Sequence, residues 1–343
     1  MLDPNFAAKM AVTLAGGPGE PGLPPVDLIA ICDTAHDRLA EGTGLVAAQA
    51  LPPPEWIDRE AWAKANAVSL SRLLSPLSDR AGRDLGPLAG PLRAAAGGLA
   101  TAEAGALLGL VAKRVLGQYD LTLTDPDVPP RLLFVGPNIH EAAERLDADP
   151  AELLTWIALH EVTHAMQFSA VSWLRPHLAE LVGELLDSLD IEMDWGALLR
   201  MPSAADLRGA VDAVRERGLA SLLGPGGEGF ADLVSRLQAT MALVEGHAEW
   251  AMDEVAGDLV PNLAELRAAL DRRRAERSAL LRFADRLLGL DLKLRQYEDG
   301  RAFCDEVVAL GGRELLEVAW SDPVAAPTAA ELADPAAWRA RVS

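Results

Sequence analysis

The chain is short of several residue types, and each shortage removes a class of protein. Only two of its 343 residues are cysteine, Cys32 and Cys304. Two cysteines so far apart cannot build a disulfide framework, and although a single bridge is open to them, a reducing compartment is the simpler expectation. Basic charge is scarce as well: 31 Lys and Arg stand against 51 Asp and Glu, a formal charge of −20. So acidic a surface repels phosphate, and no nucleic-acid partner is expected. Only Lys9, Lys64, Lys113 and Lys293 are lysines, a bias that reads as codon usage in a GC-rich genome. Long apolar runs are missing too. The nearest approach to a membrane span, residues 94–112, is broken by Glu103 and carries Gly97, Gly98, Gly105 and Gly109, which suits a closely packed helix better than a bilayer. The N-terminus has no basic stretch followed by an apolar one, so no signal peptide is expected and the expected location is cytoplasmic.

What is present is hydrophobic and helical in kind. Half the residues are hydrophobic, 24% are charged and 5% aromatic, so a core of Leu, Ala and Val is expected and general disorder is not. Gly and Pro crowd residues 14–26, and residues 1–26 read as an N-terminal arm followed by a loop. A second break stands at Leu51-Pro52-Pro53-Pro54, after which Trp56 to Leu116 reads as helical, divided near Gly86-Pro87 and Gly90-Pro91. Leu121 to Thr124 alternates, residues 125–130 are turn material and Arg131 to Val135 is apolar, together a small β ribbon. Residues 27–320 are expected to form a single, mainly α domain around that ribbon, and 321–343 a tail.

The chemistry is concentrated in one helix. Asp149 as N-cap, Pro150 at the first helical position and Glu152 at the third mark its start, so a helix over about 150–168 is predicted. His160 and His164 lie four apart, about 6 Å of rise and about 40° of rotation, so both imidazoles can reach one cation. They continue the stripe of Leu153 and Ile157, which projects inward. Glu161 is offset by about 100° and can reach a water on the metal without ligating it. This is the H-E-x-x-H pattern, in which Zn²⁺ acidifies its water and the glutamate takes the proton.

A catalytic zinc needs a third protein ligand. The extended metzincin motif would place Gly at 167 and His at 170, where Gln167 and Ala170 stand, so that subclass is excluded. A second helix, about 230–256, carries the apolar stripe Leu237, Met241, Ala248 and Met252 with Glu245 inserted into it. Glu249 follows one turn later on the same face. This spacing resembles that of the gluzincin class, which implies Glu245 as ligand and Glu249 as the acid that hydrogen-bonds a ligating histidine. His247 and Glu249 remain alternatives for the third ligand. Gly246 inside a helix implies that another backbone passes close by. Tyr119, Tyr297 and His247 are the candidate donors to the oxyanion of a tetrahedral intermediate, and each tyrosine can equally serve to anchor a turn. Asn138 and His140 follow the ribbon at a point that could lead into a cleft.

With these residues in place, the chain resembles a family of bacterial zincin-like hydrolases or metallopeptidases, mostly actinobacterial, one branch of which is associated with biosynthesis of a deazaflavin coenzyme. The resemblance rests on residues 115–120, 133–138, 159–168, 245–249 and 289–297, among them Gly117-Gln118-Tyr119-Asp120, Leu159-His160-Glu161-Val162-Thr163-His164 and Glu245-Gly246-His247-Ala248-Glu249. It implies a helical, gluzincin-type metallohydrolase that binds zinc through His160, His164 and Glu245, uses Glu161 as general base, and acts on a peptide or small amide. Two alternatives stand beside it: a non-catalytic binding or assembly protein of the same fold, its zinc closed off by a fourth ligand such as His247, and a small-molecule enzyme of the coenzyme pathway.

Overall fold

A computed structural model describes residues 2–75, 89–188, 229–275 and 291–343, with the side chains of 89–96, 99, 100, 271, 273–275 and 291–298 outside the description. In chain order the elements are α1 (Pro4–Leu14), α2 (Leu28–Thr43), β1 (Pro54–Ile57), α3 (Arg59–Leu73), α4 (Ala89–Ala112), β2 (Gly117–Asp120), β3 (Arg131–Val135), α5 (Gly136–Leu146) and α6 (Pro150–Ala170). Then follow α7 (Leu174–Ser188), α8 (Phe230–Val255), α9 (Leu263–Ala275), α10 (Asp291–Gly311), α11 (Arg313–Val318), α12 (Ala329–Leu332) and α13 (Pro335–Val342). The fold is mainly helical with one small sheet, as composition predicts. Among the described residues no helix is long and apolar enough to cross a membrane.

The chain divides into two compact units, one of residues 1–170 with 252–270 and the other of 171–251 with 271–343. In the first unit the sheet runs β1-β3-β2. Strand β3 lies in the middle, parallel to β1 and antiparallel to β2, and its Leu132, Leu133, Phe134 and Val135 are fully buried. A strand covered on both sides reads as a continuous apolar run, which is why β3 was visible in the sequence. Its antiparallel partner lies four residues earlier than the alternation of 121–124 suggests: Gly117 pairs with Phe134 and Asp120 with Arg131, and residues 121–130 form the connection. Strand β1 replaces part of an expected helix. Pro54 opens it, a position that an edge strand tolerates because no ladder amide is needed there.

Helix α1 occupies the segment expected as an arm. Its Ala7, Ala8 and Ala11 are buried in a cluster with Trp62, Ala63 and Leu133. Two glycines of α4 let it approach: a Cβ at Gly105 would lie 2.9 Å from the Ala7 carbonyl oxygen, and one at Gly109 would lie 3.1 Å from that of Ala11. The glycines of the apparent membrane segment therefore serve helix-to-helix contact in a globular core.

Helix α6 starts where its signals place it. The Asp149 carboxylate accepts from the amides of Ala151 and Glu152, at 2.8 and 3.0 Å. Glu152 itself accepts from the backbone and side-chain nitrogens of Asn262, which ties this first turn to the chain ahead of α9. From Leu153 to Gln167 the helix is buried on nearly every side, packed by α2, α5, β2 and β3.

In the second unit α8 and α10 cross with backbones in contact. A Cβ at Gly246 would collide with the peptide of Gly300 and Arg301, and one at Gly300 with the carbonyl of Ala242. The close approach inferred from Gly246 is thus present, and its counterpart is a second glycine. The segment expected as a tail docks through Trp338, which is fully buried against Phe303 at 5.2 Å between ring centroids and donates to the Ala325 carbonyl at 2.7 Å.

Candidate metal centre

Helix geometry brings the two imidazoles together as their spacing requires. His160 Nε2 and His164 Nε2 are 3.2 Å apart, with the rings nearly perpendicular. Two nitrogens bound to one tetrahedral zinc at about 2.0–2.1 Å stand about 3.3 Å apart, so the pair already has the separation that the ion demands. His164 is 9% exposed and His160 half-buried, so their ring nitrogens need partners other than bulk water. His160 and His164 supply two of the ligands that a zinc site needs, and Glu245, the first candidate for the third, lies on α8 in the second unit. Two imidazoles and one carboxylate are a donor set that zinc accepts, so the residues fit the ion.

The nitrogen of His164 that does not meet His160 is also engaged. Its Nδ1 lies 3.0 Å from the side-chain oxygen of Gln167, which is fully buried three residues on. An amide oxygen only accepts, so the contact is a hydrogen bond in the tautomer that has its proton on Nδ1 and its lone pair on Nε2. In the sequence Gln167 stands out only as the residue that excludes the metzincin motif. The missed signal was its place at i+3 from a histidine on a buried face.

Glu161, 7% exposed, is held by the edge strand. Its Oε2 accepts from the Tyr119 amide at 2.8 Å. Gly117, two residues earlier on the same strand face, lies so near that a Cβ there would stand 2.6 Å from Glu161 Cγ and 2.8 Å from Ile157 Cγ2. On the opposite face Gln118 is fixed by Trp62, whose indole donates at 2.6 Å, and by Asn66. Gln118 also donates to Asp120 at 3.1 Å, and burial pushes that carboxyl above its ordinary range despite Arg131 and Gln118 beside it. The Tyr119 ring stacks on Phe168 of α6, with centroids 5.9 Å apart. Each residue of Gly117-Gln118-Tyr119-Asp120 thus has a physical task.

The remaining sequence candidates are placed as follows. Glu245 and Glu249 are both half-buried on α8. His247, 2% exposed, packs edge-on against Trp320 and tilted against Trp250, at 5.1 and 5.3 Å. The side chain of Tyr297 lies outside the described residues. Asn138 does not open into a cleft: it is buried, accepts from Arg59 Nε at 2.7 Å and donates to the carbonyls of Ala112 and Val115. His140 stands edge-on to Trp56.

Comparison with known proteins gives a consistent picture. The family model for zincin-like metallopeptidases matches residues 3–338. A crystal structure from Chloroflexus aurantiacus, described as "a putative hydrolase with a novel fold", superposes with a TM-score of 0.70 at 26% identity, over 99% of this chain and 98% of that one. No curated protein matches.

Proposed function

Because the chain belongs to the zincin-like metallopeptidase family, we propose that it is a zinc-dependent hydrolase of peptides or small amides, with His160, His164 and Glu245 as ligands and Glu161 as general base. The observation that carries this reading is the 3.2 Å meeting of two Nε2 atoms on a helix that also presents Glu161. Three protein ligands are the complement of a catalytic zinc and leave a position for solvent. When bound, the ion would polarise the substrate carbonyl and acidify water. Glu161, anchored at Oε2 by the Tyr119 amide, takes the proton of the attacking water and returns it to the leaving amine. Glu249 is assigned to orient the ligands, and Tyr297 to donate to the oxyanion. His247, enclosed by two indoles, is assigned to hold α8 in place.

Two variants test the proposal together. Elemental analysis of the purified protein should find about one equivalent of zinc, lost in His160→Ala and kept in Glu161→Gln. Peptide or amide hydrolysis by Glu161→Gln should fall by at least about a hundredfold. Protein without zinc, or unchanged turnover in Glu161→Gln, rejects the assignment.

A further inference from the structure

We propose that Gln167 is a positioning residue for the metal centre: by accepting the Nδ1 proton of His164 it fixes the tautomer and rotation of that ring, and so the direction of the lone pair on Nε2. The proposal rests on the reading of His164 as a zinc ligand. Three observations on the helix carry it.

The first is the bond itself, 3.0 Å from Nδ1 to the amide oxygen. Neutral imidazole exchanges its proton between two nitrogens, and only the form protonated at Nδ1 presents Nε2 to a metal. An acceptor at Nδ1 selects that form before any ion arrives. The second is burial. Gln167 is fully enclosed, and an amide placed there costs free energy unless its polar atoms are bonded. A hydrophobic side chain of similar length would fill the same space on a helix whose neighbouring positions Val162, Ala165 and Met166 are apolar and buried. A polar residue at this place is therefore explained by what it bonds. The third is rigidity. Positions 164 and 167 are three apart on one helix, so ligand and acceptor move as a single body and their contact does not depend on the approach of another element. The other ring edge then meets His160 Nε2 at 3.2 Å, so the orientation set at Nδ1 is the one that aims Nε2 at the shared ion position.

The experiment compares zinc affinity, by competition with a chromophoric chelator, among the parent, Gln167→Met, Gln167→Glu and His164→Ala. Methionine keeps the length and loses the acceptor; glutamate keeps an acceptor. Gln167→Met should bind zinc roughly 10- to 100-fold more weakly, the range known for residues that orient a ligating histidine, and Gln167→Glu should stay within about threefold of the parent. Equal weakening in both variants would make Gln167 a packing residue and overturn the proposal, as would parent-like affinity in Gln167→Met. Zinc kept by His164→Ala overturns the ligand reading and this inference with it; zinc lost there but held normally by Gln167→Met overturns only the role of Gln167. A measurement on the unmutated protein guards against a variant that fails to fold. Long-range ¹⁵N–¹H correlation spectra of the zinc-loaded parent should place the His164 proton on Nδ1, and a proton on Nε2 refutes the proposal.

Discussion

At Gly117 a single hydrogen stands where any other residue would put a carbon 2.6 Å from Cγ of Glu161. Gly117→Ala therefore forces the glutamate or the edge strand to shift. Zinc content should be unchanged, while turnover falls on the order of 10- to 100-fold, since a displacement of about 1 Å in a reacting group costs that much. Metal analysis beside a kinetic assay checks both halves. This requirement was not legible in the sequence. The partner that holds Glu161 is the Tyr119 amide, and a backbone N–H has no identity in the sequence. His160, Glu161 and His164 were legible because one helical turn fixes their mutual geometry wherever the helix goes. Gln167 was within reach of the same argument, but a polar residue declares its purpose only when its neighbour is known to need an acceptor.

Helices α8 and α10 meet at two glycines, and the contact gives a test with a built-in sign. In an exposed helix interior Gly→Ala gains about 1 kcal/mol from helix propensity. Gly183 in α7 has open space around its missing side chain, so Gly183→Ala should stabilise by about that amount. Gly246→Ala meets the Gly300 peptide and should instead destabilise by about 3 kcal/mol, the upper part of the range for overpacking. Denaturant midpoints of the two variants measure the contrast. Elements were legible where local signals and burial agree, as for α6 with its Asp149 cap and α8 with its apolar stripe from Leu237 to Met252. Strand β1 was not: four residues opened by proline, on an edge, carry no alternation to set them apart from a loop. Strand β2 was displaced by four residues for a related reason. Its residues face α6 and α3 with polar groups, so its pairing is set by hydrogen bonds and not by apolar alternation.

The molecule as a whole carries a formal charge of −20, and two of its described arginines are paired with carboxylates nearby. Arg341 bonds both oxygens of Glu331, at 2.6 and 2.9 Å, and with Thr328 it holds that carboxyl below its ordinary range. Arg131 does the same for Glu55. A carboxyl lowered on folding stabilises above its unfolded value, here 4.5, and that contribution disappears as the pH falls through the lower folded value. Asp120 acts with the opposite sign, because burial raises it and protonation then favours the fold. Glu331→Gln should cost about 1 kcal/mol at pH 7, with Arg341 partly exposed and screened by solvent, and the gap to the parent should close as the pH is lowered past 4.5. Thermal unfolding of both proteins over a pH series reads this directly, and the Asp120 effect cancels in the comparison.

The enclosure of α6 bears on how this scaffold can diversify. A rod walled in by α2, α5 and two strands passes any change of bulk on to all its neighbours, so the stretch from Leu153 to Gln167 admits little alteration in volume. Change is better tolerated in the ten-residue connection after β2, nearly all of it exposed or half-buried, where lengthening or recolouring the surface leaves the buried axle untouched.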